Sequence, residues 1–171
     1  RVIRAAQVAC VHAGYGIIFG NILRRACGLG MDTRQSHPDG GYQLRPIQPL
    51  RPANALTGDV LSRAAVRYGE IRHSERYVRD WLKALPEGDV CTELASTPAP
   101  DMIAVAITEA WRGELCHTAV TDKNGKFRRY KIVDPSFHNW FGLALALRGQ
   151  QISDFPICNK SFNLSYCGHD L

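Results

Sequence analysis

The segment Asp122-Lys123-Asn124-Gly125-Lys126 most restricts what this chain can become, because it sits between two β-rich runs, Glu114–Thr121 and Phe127–Val133. Asn-Gly is the strongest short-range hairpin signal, since both residues accept the left-handed backbone that a tight turn demands. The two runs are therefore expected to pair antiparallel. A third strand is expected over Ile103–Glu109, after Pro98 and Pro100 interrupt any helix.

Upstream of the hairpin the periodicity is helical. Thr57 or Asp59 can cap a helix running to about Leu85, and Pro86 with Gly88 can end it. Val60, Ala64, Tyr68, Ile71, Val78, Leu82 and Leu85 recur at helical spacing, which predicts one apolar face turned to the core. Glu75 falls on that face, with Arg72 and Arg79 in reach for an intrahelical ion pair. A shorter helix is expected over Phe137–Leu147, and the tail from Gln150 to Leu171 reads as irregular. Arg1 to about Cys27 reads as a helix broken near Gly14 to Gly20, followed by a long loop to about Pro52. The fold class that results is α+β: mainly helical, with a long central helix and a small antiparallel sheet, in a single domain over residues 1–171.

Bulk properties narrow the function classes. The chain has 171 residues with 45% hydrophobic and 22% charged, the profile of an ordinary globular domain. The net charge of +5 raises the question of nucleic acid, but no aromatic interleaving accompanies the basic residues and no nucleic-acid motif is present. A solvated face or a contact with an acidic partner subunit is the expected use of that charge. Ala5 to Leu23 carries no charge, yet Gln7, His12, Asn21 and three glycines interrupt it, so a buried helix is expected rather than a membrane span. The six cysteines form no C-x-x-C pair, which excludes zinc-ribbon and thioredoxin patterns and predicts mostly unpaired thiols in a reducing, cytoplasmic setting. Cys116 and His117 point to opposite faces of a strand and cannot form a thiol–imidazole dyad.

Four stretches, in order, resemble the large subunit of nickel–iron hydrogenases and its relative in respiratory complex I. The first is Cys27-Gly28-Leu29-Gly30-Met31-Asp32-Thr33-Arg34 with His37-Pro38 and Tyr42, similar to S-G-V-x-x-D-x-R-x-x-x-P-Y. The second is Gly58-Asp59 with Arg63, Arg67, Glu70, Arg72 and Ser74, similar to G-D-x-x-x-R-x-x-x-R-x-x-E-x-R-x-S. The third is Glu109-Ala110-Trp111-Arg112-Gly113-Glu114-Leu115-Cys116-His117, resembling E-A-P-R-G-E-L-x-H with Trp111 in place of proline. The fourth is Pro135-Ser136-Phe137 with Asn139, then Asp154 and the tail from Ser161.

The resemblance implies the C-terminal portion of a longer large subunit, working in a multisubunit redox complex beside a small iron–sulfur subunit and membrane-arm subunits. It also implies a nickel held by two cysteine pairs, the second in a D-P-C-x-x-C tail. Here Ser165 and Gly168 stand where those cysteines would be, and Asn163-Leu164 replace Asp-Pro. Glycine offers no ligand atom, so the nickel–iron centre is expected to be absent. No cofactor is expected within this stretch, with an iron–sulfur cluster in a partner and quinone as a candidate ligand of the whole complex.

The matched polar residues Asp32, Arg34, Arg67, Glu70, Arg72, Glu109 and Arg112 form the candidate network. It is read either as a charge-coupling path or as a buried ion-pair set fixing helix, turn and hairpin together. No catalytic residue is assigned, and the stretch alone is expected to be inactive. A cytoplasmic protein attached to a membrane through its partners is the expected setting. The competing readings are a working hydrogenase with unusual ligands and a basic module for a protein or nucleic acid.

Overall fold

A computed structural model describes residues 21–30, 32–38, 57–85, 87–88 and 97–169. The expected helix break near Gly14 to Gly20 lies outside these residues, as does most of the uncharged run from Ala5; of the loop expected to about Pro52, residues 39–52, with Tyr42, lie outside them too, while its described part is not all loop, since Asp32 caps a one-turn helix over Thr33–Ser36. In chain order the elements are α1 (Asn21–Ala26), α2 (Thr33–Ser36), α3 (Val60–Lys83), β1 (Ile103–Ala110), β2 (Gly113–Thr121), β3 (Phe127–Val133), α4 (Pro135–Ala146) and α5 (Phe155–Phe162). Short 3-10 turns cover Ile152–Asp154 and Cys167–His169. Among the described residues, no helix is long and apolar enough to cross a membrane.

The three strands form one antiparallel sheet in the order β1-β2-β3, with Ile107 opposite Cys116 and Cys116 opposite Val133. Asp122 organises the β2–β3 turn: its carboxylate accepts from the backbone N–H groups of Asn124 (2.8 Å) and Lys126 (2.9 Å). Gly125 takes φ +74° there, and a Cβ at that position would run into the carbonyl of Pro98, so only glycine fits. The register slips between Val120 and Thr121, where the turn feeds β3. The hairpin and all three strands lie where local turn chemistry puts them.

Asp59, not Thr57, caps α3, its carboxylate accepting from Ser62 N–H at 2.7 Å; Thr57 supports it through Ser62 Oγ. The burial of α3 departs from its apolar periodicity. Tyr68, Ile71, Val78, Leu82 and Leu85 are exposed, whereas Ser62, Arg63, Val66 and Glu70 are the buried residues. The helix therefore turns its polar stripe inward, because that stripe holds the charged partners of other elements. Glu75 pairs with Arg79 at 2.9 Å and, at 4.0 Å, with Arg72, at a side chain that is 45% exposed.

The tail is not irregular. Pro156 stands in the first turn of α5, where its missing N–H costs nothing, and Asn163 ends the helix in the left-handed conformation (φ 52°, ψ 48°). α5 supplies Cys158 and Phe162 to the main apolar cluster with Leu23, Leu143, Leu145, Ala146 and Leu164. α4 begins slightly earlier than its apolar spacing suggests, since Asp134 caps it by accepting from Ser136 N–H. The expectation of unpaired thiols holds for Cys116, Cys158 and Cys167, which are free. Cys27 is instead disulfide-bonded. Pairing depends on which Cβ atoms the fold brings together, and linear spacing does not encode that.

Phe162 is 2% exposed, and the Arg63 guanidinium lies 4.3 Å over its ring. Phe162→Ala is expected to destabilise the chain by about 3–5 kcal/mol, through the lost core volume and the uncovered cation. Urea unfolding monitored by circular dichroism checks this.

Candidate functional site

Five charged side chains from four elements meet in one buried network. Arg25, near the end of α1, contacts three carboxylates at once. Its Nη1 lies 3.0 Å from Asp32 and 2.7 Å from Glu70, and its Nη2 lies 2.9 Å from Glu109. Asp32 is the N-cap of α2 and takes Arg34 as a second partner, through Nη2 at 2.6 Å, Nε at 2.8 Å and the backbone N–H at 3.0 Å. Arg34 also stands 3.5 Å from Glu70 of α3. Glu109 of β1 accepts the Thr33 N–H at 3.0 Å, so α1 and α2 are both joined to the strand through the two carboxylate oxygens of one residue.

Burial makes these contacts strong and demanding. The Arg25 side chain is 3% exposed and that of Asp32 1%. Burial opposes ionisation of Asp32, but the hydrogen bond and charge of Arg34 and the charge of Arg25 outweigh it, and its carboxyl lies below the usual range. The hydrogen bond to Asp32 in turn raises Arg34. Three carboxylates against two guanidiniums leave a formal charge of −1 within the set. The short Arg25–Glu70 contact is an ion pair without hydrogen-bond alignment: among the described residues, the buried Glu70 Oε1 has no aligned hydrogen-bond donor. Arg25, Arg34, Glu70 and Glu109 form the charged side of a half-open cleft of about 380 Å³, with Ser74 and Trp111 on its other walls.

Of the candidate residues, the fold brings Asp32, Arg34, Glu70 and Glu109 together. Arg72 is elsewhere, with a side chain 67% exposed that reaches Glu75 on its own helix. Arg67 and Arg112 belong to a second cluster at the C-terminus of α5. Arg67 donates to the carbonyls of Ser161 and of Phe162 (2.7 Å for the latter), and Arg112 donates to the carbonyl of Asn163. Arg63 joins them, donating to Ser161 Oγ at 3.0 Å and to the Gly58 carbonyl at 2.6 Å. Burial, and then the charge of Arg112, lowers Arg67 to about 10; burial likewise lowers Arg63 to about 10. The guanidiniums face the carbonyl end of α5, where the helix dipole is negative.

Arg25 and Arg63 are the members that the sequence pattern does not single out as network residues. The one sequence signal for Arg25 is the Arg24-Arg25 pair that closes an otherwise uncharged run. Arg63 lies in a matched motif, but nothing in helical spacing marks it as buried.

Ser165 and Gly168, the positions that the motif resemblance sets against nickel-binding cysteines, are part of a packed turn. Ser165 N–H donates to Ser136 Oγ at 3.0 Å, and Gly168 N–H donates to Ser165 Oγ at 3.0 Å. A Cβ at Gly168 would stand 2.5 Å from Cγ of Asp134 and 2.8 Å from both carboxylate oxygens, the same carboxylate that caps α4. These two residues do not fit nickel: one has no donor atom, and its side-chain space is taken.

The family profile described as "Respiratory-chain NADH dehydrogenase, 49 Kd subunit" matches residues 4–103 and 94–170. The chain is 33% identical to formate hydrogenlyase subunit 5 of Escherichia coli over 150 residues, covering 86% of this chain and 26% of that protein. It is 30% identical to the membrane-bound hydrogenase subunit alpha of Pyrococcus furiosus, covering 94% of this chain and 41% of that protein. It is 31% identical to an NADH-quinone oxidoreductase subunit of Solibacter usitatus, covering 80% of this chain and 36% of that protein. A chain in the structure of the membrane-bound sulfane sulfur reductase, an archaeal respiratory membrane complex, superposes with a TM-score of 0.79 at 24% identity, over 90% of this chain and 42% of that one. The chain thus spans less than half the length of each of these relatives.

Arg25→Met removes the guanidinium shared by three buried carboxylates, leaving Arg34 as their one remaining cation in the set, and is expected to cost about 3–5 kcal/mol, against about 0.5 kcal/mol or less for Arg72→Ala. Because Asp32 is depressed in the folded state, its contribution is complete above the unfolded carboxylate value of about 4 and is lost as pH falls through its lower folded value. Asp32→Asn should flatten that acid limb. Unfolding free energy measured from neutral pH down to about pH 2 tests both statements.

Proposed function

Because the chain belongs to the respiratory-chain NADH dehydrogenase 49 kDa subunit family and is similar to hydrogenase subunits as well, we propose that it supplies the C-terminal portion of such a subunit in a multisubunit redox complex, and that no nickel is held at its C-terminal end. The observation that carries this reading is Gly168. A thiolate there would need both a side chain and room for it, and Asp134 occupies that room while capping α4. Ser165, whose hydroxyl accepts a backbone N–H within the same turn, is committed to folding the tail.

On this reading the chain works as a wall and a lock, its charged junction forming one side of a half-open cleft. Arg25, Asp32, Arg34, Glu70 and Glu109 fix α1, α2, α3 and β1 to one another. Buried charge of this density is costly unless every member is paired, so the ring tolerates little relative movement of those elements. A small iron–sulfur subunit is the proposed electron-carrying partner, and membrane-arm subunits are the proposed anchor. Quinone is the candidate acceptor of the whole complex. None of these needs a catalytic group from this chain, and the chain alone is expected to have no redox activity. A working hydrogenase with unusual ligands would require a donor at position 168, which glycine lacks.

Nickel and iron analysis of the full-length parent protein, purified with its partner subunits, tests the proposal. The expected result is no nickel, with iron only in iron–sulfur stoichiometry; nickel near one per chain would return the protein to the hydrogenases. Independently, Gly168→Ala should lower stability by about 1–2 kcal/mol by displacing the Asp134 cap. The same substitution should be near neutral in an Asp134→Gly background, as read by thermal unfolding of the double-mutant cycle.

A further inference from the structure

β3 is used neither by the charged network nor by the turn at Ser165 and Gly168. It stands at one edge of the sheet and, among the described residues, pairs only with β2, so one side of its backbone is open to a further strand. Lys123, Lys126, Arg128, Arg129 and Lys131 crowd into this strand and the turn before it. All five are exposed, and among the described residues none has a carboxylate within ion-pair distance. The acidic side chain of the turn, Asp122, is already committed to the backbone N–H groups of Asn124 and Lys126.

The register slip between Val120 and Thr121 sorts the side chains of β3 by chemistry. Arg129 and Lys131 stand opposite Val120 and Thr118 and share one face of the sheet. On the other face, Tyr130 stands opposite Ala119 and Phe127 opposite Thr121. The rings of Phe127 and Tyr130 meet edge-on at 5.9 Å, and the Tyr130 hydroxyl is hydrogen-bonded with His117 Nδ1 at 2.7 Å. Without the extra residue in the strand, Phe127 would fall on the face of Arg129. Phe127 is 62% exposed and Tyr130 54%. Aromatic rings therefore do stand among these cations, contrary to the reading of the sequence, but the fold sends them to the opposite face.

That division decides what can cover the edge. A flat anionic lipid surface meets one face of a thin sheet and takes the cations without the rings. Nucleic acid needs its phosphate contacts and its stacking platform on the same side. A second copy of β3 would set Arg and Lys against Arg and Lys. A strand laid along the edge reaches both faces at once, because its own side chains alternate. We propose that β3 takes an added strand from a partner protein in which acidic and apolar residues alternate, its carboxylates beside Arg129 and Lys131 and its apolar side chains beside Phe127 and Tyr130. Opposed side chains across such a ladder lie about 5 Å apart at Cβ, within reach for ion pairs. Exposed ion pairs hold little by themselves, so the charges select the partner while backbone hydrogen bonds and ring contacts retain it.

The test measures, by fluorescence anisotropy, binding of a labelled peptide of alternating Glu and Val, about eight residues long, to the full chain. Saturable binding is expected, about tenfold tighter than that of a peptide with the same residues arranged in two blocks. It should also slow amide hydrogen exchange in β3, whose outer N–H groups enter a ladder. Arg129→Glu combined with Lys131→Glu should abolish binding of this peptide and confer binding of its Lys–Val counterpart, which also reports that the variant is folded. Equal binding of the alternating and blocked peptides, or binding that leaves exchange in β3 unchanged, would make the surface a general anion patch and overturn the proposal. Tighter binding to phosphatidylglycerol vesicles or to oligonucleotides than to the peptide would assign it to a membrane or a nucleic acid instead. No saturable binding would leave the cations as a guard against edge-to-edge association, and either of these results overturns the proposal as well.

Discussion

The contact of Arg25 with Asp32, Glu70 and Glu109 is the interaction on which the described architecture depends. Asp32 is only seven positions from Arg25, but Arg25 and Glu109 are 84 positions apart. The four residues come from the end of one helix, the cap of a second, the middle of a third and the end of a strand. A guanidinium presents several donors in a rigid plane, so a single Arg can fix three carboxylates in direction as well as distance. Arg34 completes the ring from the α2 side. The apolar clusters on either side are small: Ala26 and Val66 form one, and the α4–α5 cluster forms the other. Between them the alignment of α1, α3 and β1 rests on charge.

A similar principle operates at the end of α5. The carbonyls of residues 161–163 would be orphaned at a buried helix terminus, and arginines from α3 and the β1–β2 turn satisfy them, with Arg63 holding the Ser161 hydroxyl beside them. This clamp holds the tail against α3. The tail then returns through Ser165 and Gly168 to the start of α4, where Ser136 and Asp134 receive it. Ser165 and Gly168, which the motif resemblance sets against the metal-binding cysteines of a hydrogenase, thereby help close the chain on itself. A helix cap, a hydroxyl and a missing side chain together make that closure.

How much of this is legible in the sequence depends on the range of the interaction concerned. The β2–β3 hairpin, the three strands, the Asp59 cap and the Glu75–Arg79 pair are readable because each is decided within a few residues. The matched motifs place Asp32, Arg34, Glu70 and Glu109 among the candidates, and the fold brings those four together. Arg72 enters the same set by its motif position, yet it points to solvent. α5 escapes a reading of the sequence because Pro156 looks like a breaker, although at the start of a helix it is tolerated.

The sequence by itself determined the local turns, caps, strand positions and family membership, since these follow from backbone sterics and from residue types at fixed short spacings. Only the tertiary structure decided which face of α3 is buried. Its apolar stripe predicted the core side, but the inward side is Ser62, Arg63, Val66 and Glu70. Helical spacing reports which residues share a face. It does not report what waits opposite, and here Arg25 and the carbonyl end of α5 wait opposite. A buried charge must be paired at a cost that exposed apolar side chains do not match, so the charged stripe faces inward and the apolar stripe faces out.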